Sequence, residues 1–206
     1  MNEKNIIIER MNSYGNNKIP FLFIIDFEMM SPLIFKLNDI HQEDLLFNIN
    51  GYKNYSQISE LPKEIIFNKH PISFDDYRTA FVKVMENINA GNTYLMNLTF
   101  PTHIETNLTL KEVFLHSTAR YKLLYQDKFV VFSPEIFVQI DNNKISSHPM
   151  KGTIAAEIPN ANDKILTDEK ELAEHNTIVD LIRNDLNMVA DNVHVEKFRY
   201  IDKIRT

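Results

Sequence analysis

The sequence predicts an α+β fold, and three observations carry that prediction. Short β-favouring runs and helical patterns are mixed along 206 residues without regular βαβ alternation. The run Phe21–Leu22–Phe23–Ile24–Ile25–Asp26–Phe27 is dense in aromatic and branched side chains, as a buried strand would be. Two longer segments, one behind the capping residue Ser73 and one from about Asp168, place apolar residues at helical spacing.

Taken in order, residues 1–17 read as a short helix closed by the polar turn Gly15–Asn16–Asn17. The strand from Phe21 follows, with Pro32–Leu37 and Leu45–Ile49 as its expected neighbours and turns at Met30–Ser31 and Asn50–Gly51. A polar stretch to about His70 is expected to be a linker packed across the sheet. Ser73 with Asp76 three residues on has the form of a capping box. Tyr77, Ala80, Phe81, Val84, Met85 and Ile88 then recur on one helical face, and Gly91 ends the helix. Tyr94–Phe100 is expected as a strand and Leu110–Tyr121 as a helix. Strands are expected at Phe129–Phe132, Ile136–Ile140 and Lys144–His148. Residues 154–163 read as a loop, Asp168–Leu186 as the last long helix, and Val193–Val195 as strand-like.

Composition excludes several functions. A formal net charge of −6, with no basic cluster of any size, leaves no face for nucleic-acid phosphates. No run of eighteen apolar residues is present, so no membrane span is expected, and the polar first ten residues are not a signal peptide. The absence of cysteine removes disulfides, thiolate catalysis and Cys-ligated zinc, and a cytoplasmic location is expected. With four glycines, neither a G-x-G-x-x-G nor a Walker-type phosphate loop occurs.

Three side chains are candidates for chemistry. Lys151 follows an expected strand and precedes Gly152, where a missing side chain lets a ligand approach the backbone. An amine there could be a nucleophile if burial lowered its pKa; from spacing alone, a surface lysine in a turn is the simpler reading. Glu135, in Ser133–Pro134–Glu135, would be a general acid or base if it faced inward and a solvated turn carboxylate if it did not. Glu174 shares a helical face with Ile178, Leu181 and Asp185, where a carboxylate needs a partner. Mg²⁺ suits such a hard oxygen ligand, and a salt bridge to Lys170 or Arg183 suits it equally. His175 reads as a packed histidine, and Arg183 as the partner of Asp180.

Four strings, taken together, resemble the chorismate-utilising enzymes. They are Ala90–Gly91–Asn92–Thr93–Tyr94–Leu95–Met96–Asn97–Leu98–Thr99, Ser133–Pro134–Glu135, Pro149–Met150–Lys151–Gly152–Thr153, and Ala173–Glu174–His175 with Val179–Asp180–Leu181–Ile182–Arg183–Asn184–Asp185. They occur in the family's order across about residues 70–206. The resemblance is nearest to aminodeoxychorismate synthase component I (para-aminobenzoate synthase component I), a transferase of folate biosynthesis whose members carry Pro-Ile-Lys-Gly-Thr. Anthranilate synthases usually have alanine at the Lys151 position. Isochorismate and salicylate synthases use a lysine on the earlier strand, where this chain has Leu95.

What the resemblance implies is specific. Chorismate would lie against Gly152 and Thr153, with Asn97 lining the pocket. Lys151 would attack C2 as the C4 hydroxyl leaves, Glu135 would protonate that oxygen, and Glu174 would supply one ligand to Mg²⁺. Ammonia from a glutamine amidotransferase subunit would then add at C4 and displace the lysine. The implied fold is anthranilate synthase component I-like, with layered, mostly antiparallel sheets and outer helices. In this chain it would be incomplete, because a Gly-Gly-Ser-Ile-Thr-Gly-Ala-Pro-Lys segment and further acidic ligands are absent. Residues 1–70 are expected as a variable sheet region and 71–206 as the N-terminal part of the chorismate-binding domain, within one structural unit. Alone, the chain is expected to show little or no synthase activity. Anthranilate synthase component I and a non-catalytic remnant binding chorismate or the amidotransferase are the alternatives.

Overall fold

A computed structural model describes residues 3–56, 60 and 62–203. Two compact units emerge, residues 1–56 with 117–206 and residues 57–116. The boundary expected near residue 70 therefore coincides with neither junction.

The first unit opens with helix α1 (Glu3–Asn16), then the antiparallel pair β1 (Phe21–Ile24) and β2 (Leu33–Lys36). β1 is shorter than the apolar run that predicted it. Asp26 ends it by accepting from the Met30 and Ser31 amides at 3.1 and 3.0 Å, an Asx-type turn that leaves Ile25 and Phe27 exposed. Only Leu22 of β1 is buried, so the strand packs by one face rather than both.

β3 (Leu45–Ile49) does not pair with β1, contrary to expectation. It joins β4 (Tyr52–Lys53), β7 (Tyr121–Tyr125) and β8 (Phe129–Ser133) in an antiparallel sheet of order β4-β3-β7-β8. Its link to β1 is through packing: Leu45 and Phe47 meet Leu22, ringed by Ile24, Phe35, Leu37, Ile40, Leu123 and Tyr125. Asn50 and Gly51 turn β3 into β4 with φ of 52° and 92°, the left-handed conformations that a tight hairpin requires. Asn54 then pins the β3 backbone, its side chain accepting from the Phe47 amide and donating to the Leu45 carbonyl.

β7 overlaps the expected helix Leu110–Tyr121 only at Tyr121 and otherwise occupies a segment for which no element was expected. The helix stops at His116, and Asn50 bonds Arg120 through both backbone and side chain, fixing where the strand starts. Leu46, Lys122 and Leu124 are buried on the sheet face opposite Phe47. The Lys122 ammonium donates to the Ser117 carbonyl at 2.7 Å; burial, then the neighbouring Lys53, hold its pKa below the ordinary 10.5.

The rest of the first unit carries the candidate site. β9 (Gln139–Asp141) and β10 (Lys144–Ser146) form a hairpin about Asn142–Asn143, both at positive φ. Helix α4 (Ala161–Thr167) replaces part of the expected loop. α5 (Glu169–Asn187) is the long helix, with Asp168 at its N-cap accepting from the Glu171 amide. Residues 193–195 form no strand.

The second unit holds β5 (Phe67–His70) paired with β6 (His103–Thr106), and helices α2 (Phe74–Asn89) and α3 (Leu110–His116). The N-cap half of the expected capping box is formed, Ser73 Oγ accepting from the Asp76 amide, while the Asp76 carboxylate accepts from the Ser73 hydroxyl. The linker expected before His70 instead contains β5; residues 57–59 and 61 of that stretch lie outside the described residues. Tyr94–Phe100 is coil, because Tyr94, Leu95 and Met96 are all exposed and neither parity of side chain has a core to face. No described helix is long and apolar enough to cross a membrane. Every strand pairing is antiparallel, so the α+β class holds, with sheets built from hairpins and strands joined across long connections.

Candidate functional site

The β9–β10 hairpin brings two of the sequence candidates together. Its register pairs Asp141 with Lys144 and Gln139 with Ser146; carried outward, the same register sets Phe137 beside His148 and Glu135 beside Met150. Two hydrogen bonds follow that extension beyond the regular strands. Ser147 Oγ donates to the Phe137 carbonyl at 3.0 Å, and the Met150 amide donates to Glu135 Oε1 at 2.7 Å. Glu135 is thus held against the residue preceding Lys151, fifteen positions away in sequence. Ser133 fixes the Glu135 backbone, its hydroxyl accepting from the Glu135 amide and donating to the Glu135 carbonyl.

Neither group is buried in this chain. Glu135 and Lys151 are both exposed, and Lys151 stands five residues past the end of β10 rather than at a buried strand end. Glu135 therefore has the solvated setting of the two that the sequence left open. Gly152 is half-buried with φ of 71°, and Thr153 is exposed. Asn97 lies on exposed coil between α2 and β6, in the other unit.

Glu174 projects from the half-buried face of α5 that also carries Glu171, His175, Ile178, Val179, Ile182 and Leu186. Its carboxylate pairs with Lys170 at 3.4 Å across one helical turn. The helix likewise pairs Arg183 with Asp180 at 2.6 Å. Among the described residues no three His, Cys, Asp or Glu side chains gather to hold a metal ion.

Sequence reasoning missed two supports of the site. Glu171 lies against Gly152: a Cβ built on the glycine would stand 2.8 Å from Glu171 Oε2 and 3.3 Å from Ile165 Cδ1. Arg199 grips the end of α4, donating to the Leu166 and Ile165 carbonyls at 2.7 and 2.8 Å. In the sequence, Glu171 has the form of an acidic residue in the first turn of a helix, which the helix dipole explains without any tertiary contact. Arg199 carries no local signal.

His175 packs edge-on against Phe198, as expected of a packed histidine, with ring centroids 5.2 Å apart. Burial first, and the Arg199 charge second, hold its pKa below the ordinary 6.5. The folded chain thus favours the neutral ring. The unfolded chain takes up the extra proton as pH falls below about 6.5, and stability declines from there down through the folded value. His175→Gln should flatten that acid-side slope, as thermal melts across the range from about pH 7.5 to 5 would record. An unchanged slope would mean that the ring titrates as in the unfolded chain.

The family model for chorismate binding enzymes matches residues 35–206. The chain is 50% identical over 199 residues to a Haemophilus influenzae protein described as an uncharacterized PabA-like protein, covering 97% of this chain and 60% of that one. A Pasteurella multocida protein of the same description is 47% identical over 200 residues, covering 97% and 62%. A Schizosaccharomyces pombe protein named "Putative aminodeoxychorismate synthase" is 27% identical over 173 residues, covering 77% and 23%. An Oryza sativa anthranilate synthase alpha subunit is 32% identical over 152 residues, covering 66% and 26%. No solved structure matches. The chain spans about three fifths of the length of its two bacterial relatives. It belongs to the chorismate binding enzyme family.

Proposed function

We propose that this chain carries the lysine half of an aminodeoxychorismate synthase component I site. It binds chorismate, and Lys151 and Glu135 act on it in the route to 4-amino-4-deoxychorismate, in para-aminobenzoate and folate synthesis. The observation that supports this most is the Glu135–Met150 hydrogen bond, which sets a carboxylate beside the residue bearing the amine. In the proposed step the Lys151 nitrogen forms a bond to C2 of chorismate, the two conjugated ring double bonds both shift toward C4, and the C4–oxygen bond breaks. Glu135 gives that oxygen its proton, so water leaves and the ring remains attached to lysine. Ammonia from a glutamine amidotransferase subunit then attacks C4, both double bonds return to their first positions, and the lysine is released with its proton restored.

Gly152 and Thr153 take the substrate carboxylate through backbone and hydroxyl. Glu174 is the ligand this chain offers to Mg²⁺, which when bound neutralises and orients a ring carboxylate. Exposure of Lys151 and Glu135, together with α5 burying none of its residues, supports a site closed by further polypeptide of the kind the longer relatives possess. The layered, mostly antiparallel arrangement and the cytoplasmic location belong to the same proposal.

Peptide mapping tests the reading. Incubated with chorismate, the chain should carry an adduct of chorismate less one water on Lys151, and Lys151→Ala should abolish it. Turnover with ammonium chloride should be slight. Formation of anthranilate without a Lys151 adduct would instead favour the anthranilate synthase alternative suggested by the rice relative. Chorismate binding with neither adduct nor turnover would favour a non-catalytic remnant.

A further inference from the structure

The backbone around Lys151 is held from both sides by carboxylates. On the N-terminal side, Glu135 Oε1 accepts from the Met150 amide at 2.7 Å. On the C-terminal side the contact is steric: a Cβ on Gly152 would be 2.8 Å from Glu171 Oε2, 3.2 Å from Glu171 Cδ and 3.3 Å from Ile165 Cδ1. Gly152 stands at φ of 71°, where an L side chain is strained, and a methyl added there would have to push the Glu171 carboxylate aside.

Glu171 Oε2 is buried without a hydrogen-bond partner among the described residues. Lys170 approaches only the other oxygen, Oε1, at 3.9 Å. A desolvated carboxylate oxygen left unbonded is unfavourable, and groups of this kind call for a reason beyond stability. The parts that hold it are fixed by their own bonds. Asp168 caps the first turn of α5 through the Glu171 amide at 2.9 Å, and Arg199 anchors the end of α4 through the Ile165 and Leu166 carbonyls.

We propose that Glu171, with Ile165 beside it, is a positioning residue: a seat for Gly152 that fixes the direction in which Lys151 leaves the backbone. The inference rests on the reading of Lys151 as the reacting amine and deepens it by naming what aims it. Glu135 fixes the residue before the lysine and Glu171 the residue after, so the 150–152 segment has a defined path without regular secondary structure.

Glu171→Ala and Glu171→Gln in the 206-residue chain test this. In the ligand-free protein, Glu171→Ala should speed tryptic cleavage after Lys151 and amide exchange across residues 150–153 by about fivefold or more, with β3 and β7 protection unchanged. Glu171→Gln, which fills the same space, should stay within about twofold of the parent chain. With chorismate added, the rate of adduct formation on Lys151 should fall in the alanine variant and return in the glutamine variant. Unchanged cleavage and exchange in Glu171→Ala would overturn the seat, as would loosening that spread equally into β3 and β7. If the parent chain forms no adduct, the chorismate chemistry fails; the ligand-free measurements still decide the seat.

Discussion

Phe47→Ala is expected to cost about 3–5 kcal/mol, the largest loss available from one side chain in the first unit. Phe47 is 3% exposed on β3, the inner strand between β4 and β7, and packs with Leu22 and Leu45. The side chains around it come from β1, β2, the turn after β2, and β7, which are anchored independently through their own ladders. A cavity there cannot close by the movement of one neighbour, so the cost should lie toward the upper end for a phenylalanine. Phe23→Ala provides the contrast. Phe23 is 50% exposed on β1, and its loss removes roughly half as much buried apolar area, for a cost of about 1 kcal/mol. Urea denaturation of both variants measures the difference. Equal midpoints would mean that the Leu22–Leu45–Phe47 cluster is not the core of this unit.

The parts of this fold legible in the sequence are those fixed by local chemistry. Ser73 announced α2 because an N-cap oxygen and its helical amide lie within three residues of each other, and the apolar spacing from Asp168 announced α5. Asn50–Gly51 announced a hairpin because few other residue pairs accept positive φ. What failed was whatever depended on a distant partner. The apolar run 94–100 has the composition of a strand but no core to bury it, whereas the polar sequences of β5 and β6 form a ladder. β7 went unassigned beyond Tyr121, since Tyr121–Tyr125 becomes a strand through β3 and the Asn50–Arg120 bonds.

The site divides the same way. The strands about Asn142–Asn143 were legible, and their register is what opposes Glu135 to Met150. The salt bridge of Glu174 to Lys170 was legible too, being one helical turn long. The contact of Glu171 with Gly152 was not, because it joins a helix to a loop nineteen residues earlier with no motif to mark either end.

That contact makes Gly152→Ala the second large effect. Two penalties act at once, and they can be separated. The first is conformational: at φ of 71° an L-residue loses about 1–2 kcal/mol relative to glycine whatever surrounds it. The second is steric, since the new methyl would stand 2.8 Å from Glu171 Oε2, and overpacking of this kind costs about 1–3 kcal/mol. Together they predict a loss of about 2–5 kcal/mol in urea denaturation. Glu171 is the end of a flexible side chain, but Ile165 Cδ1 at 3.3 Å leaves the methyl little room on that side. Removing the carboxylate should therefore relieve the second penalty and leave the first. In the background of Glu171→Ala, the added cost of Gly152→Ala should shrink to the conformational part, giving a coupling energy of about 1 kcal/mol or more. Strict additivity of the two substitutions would show that the loop moves away from α5 when the methyl is added, and that Gly152 is required only for its backbone angle.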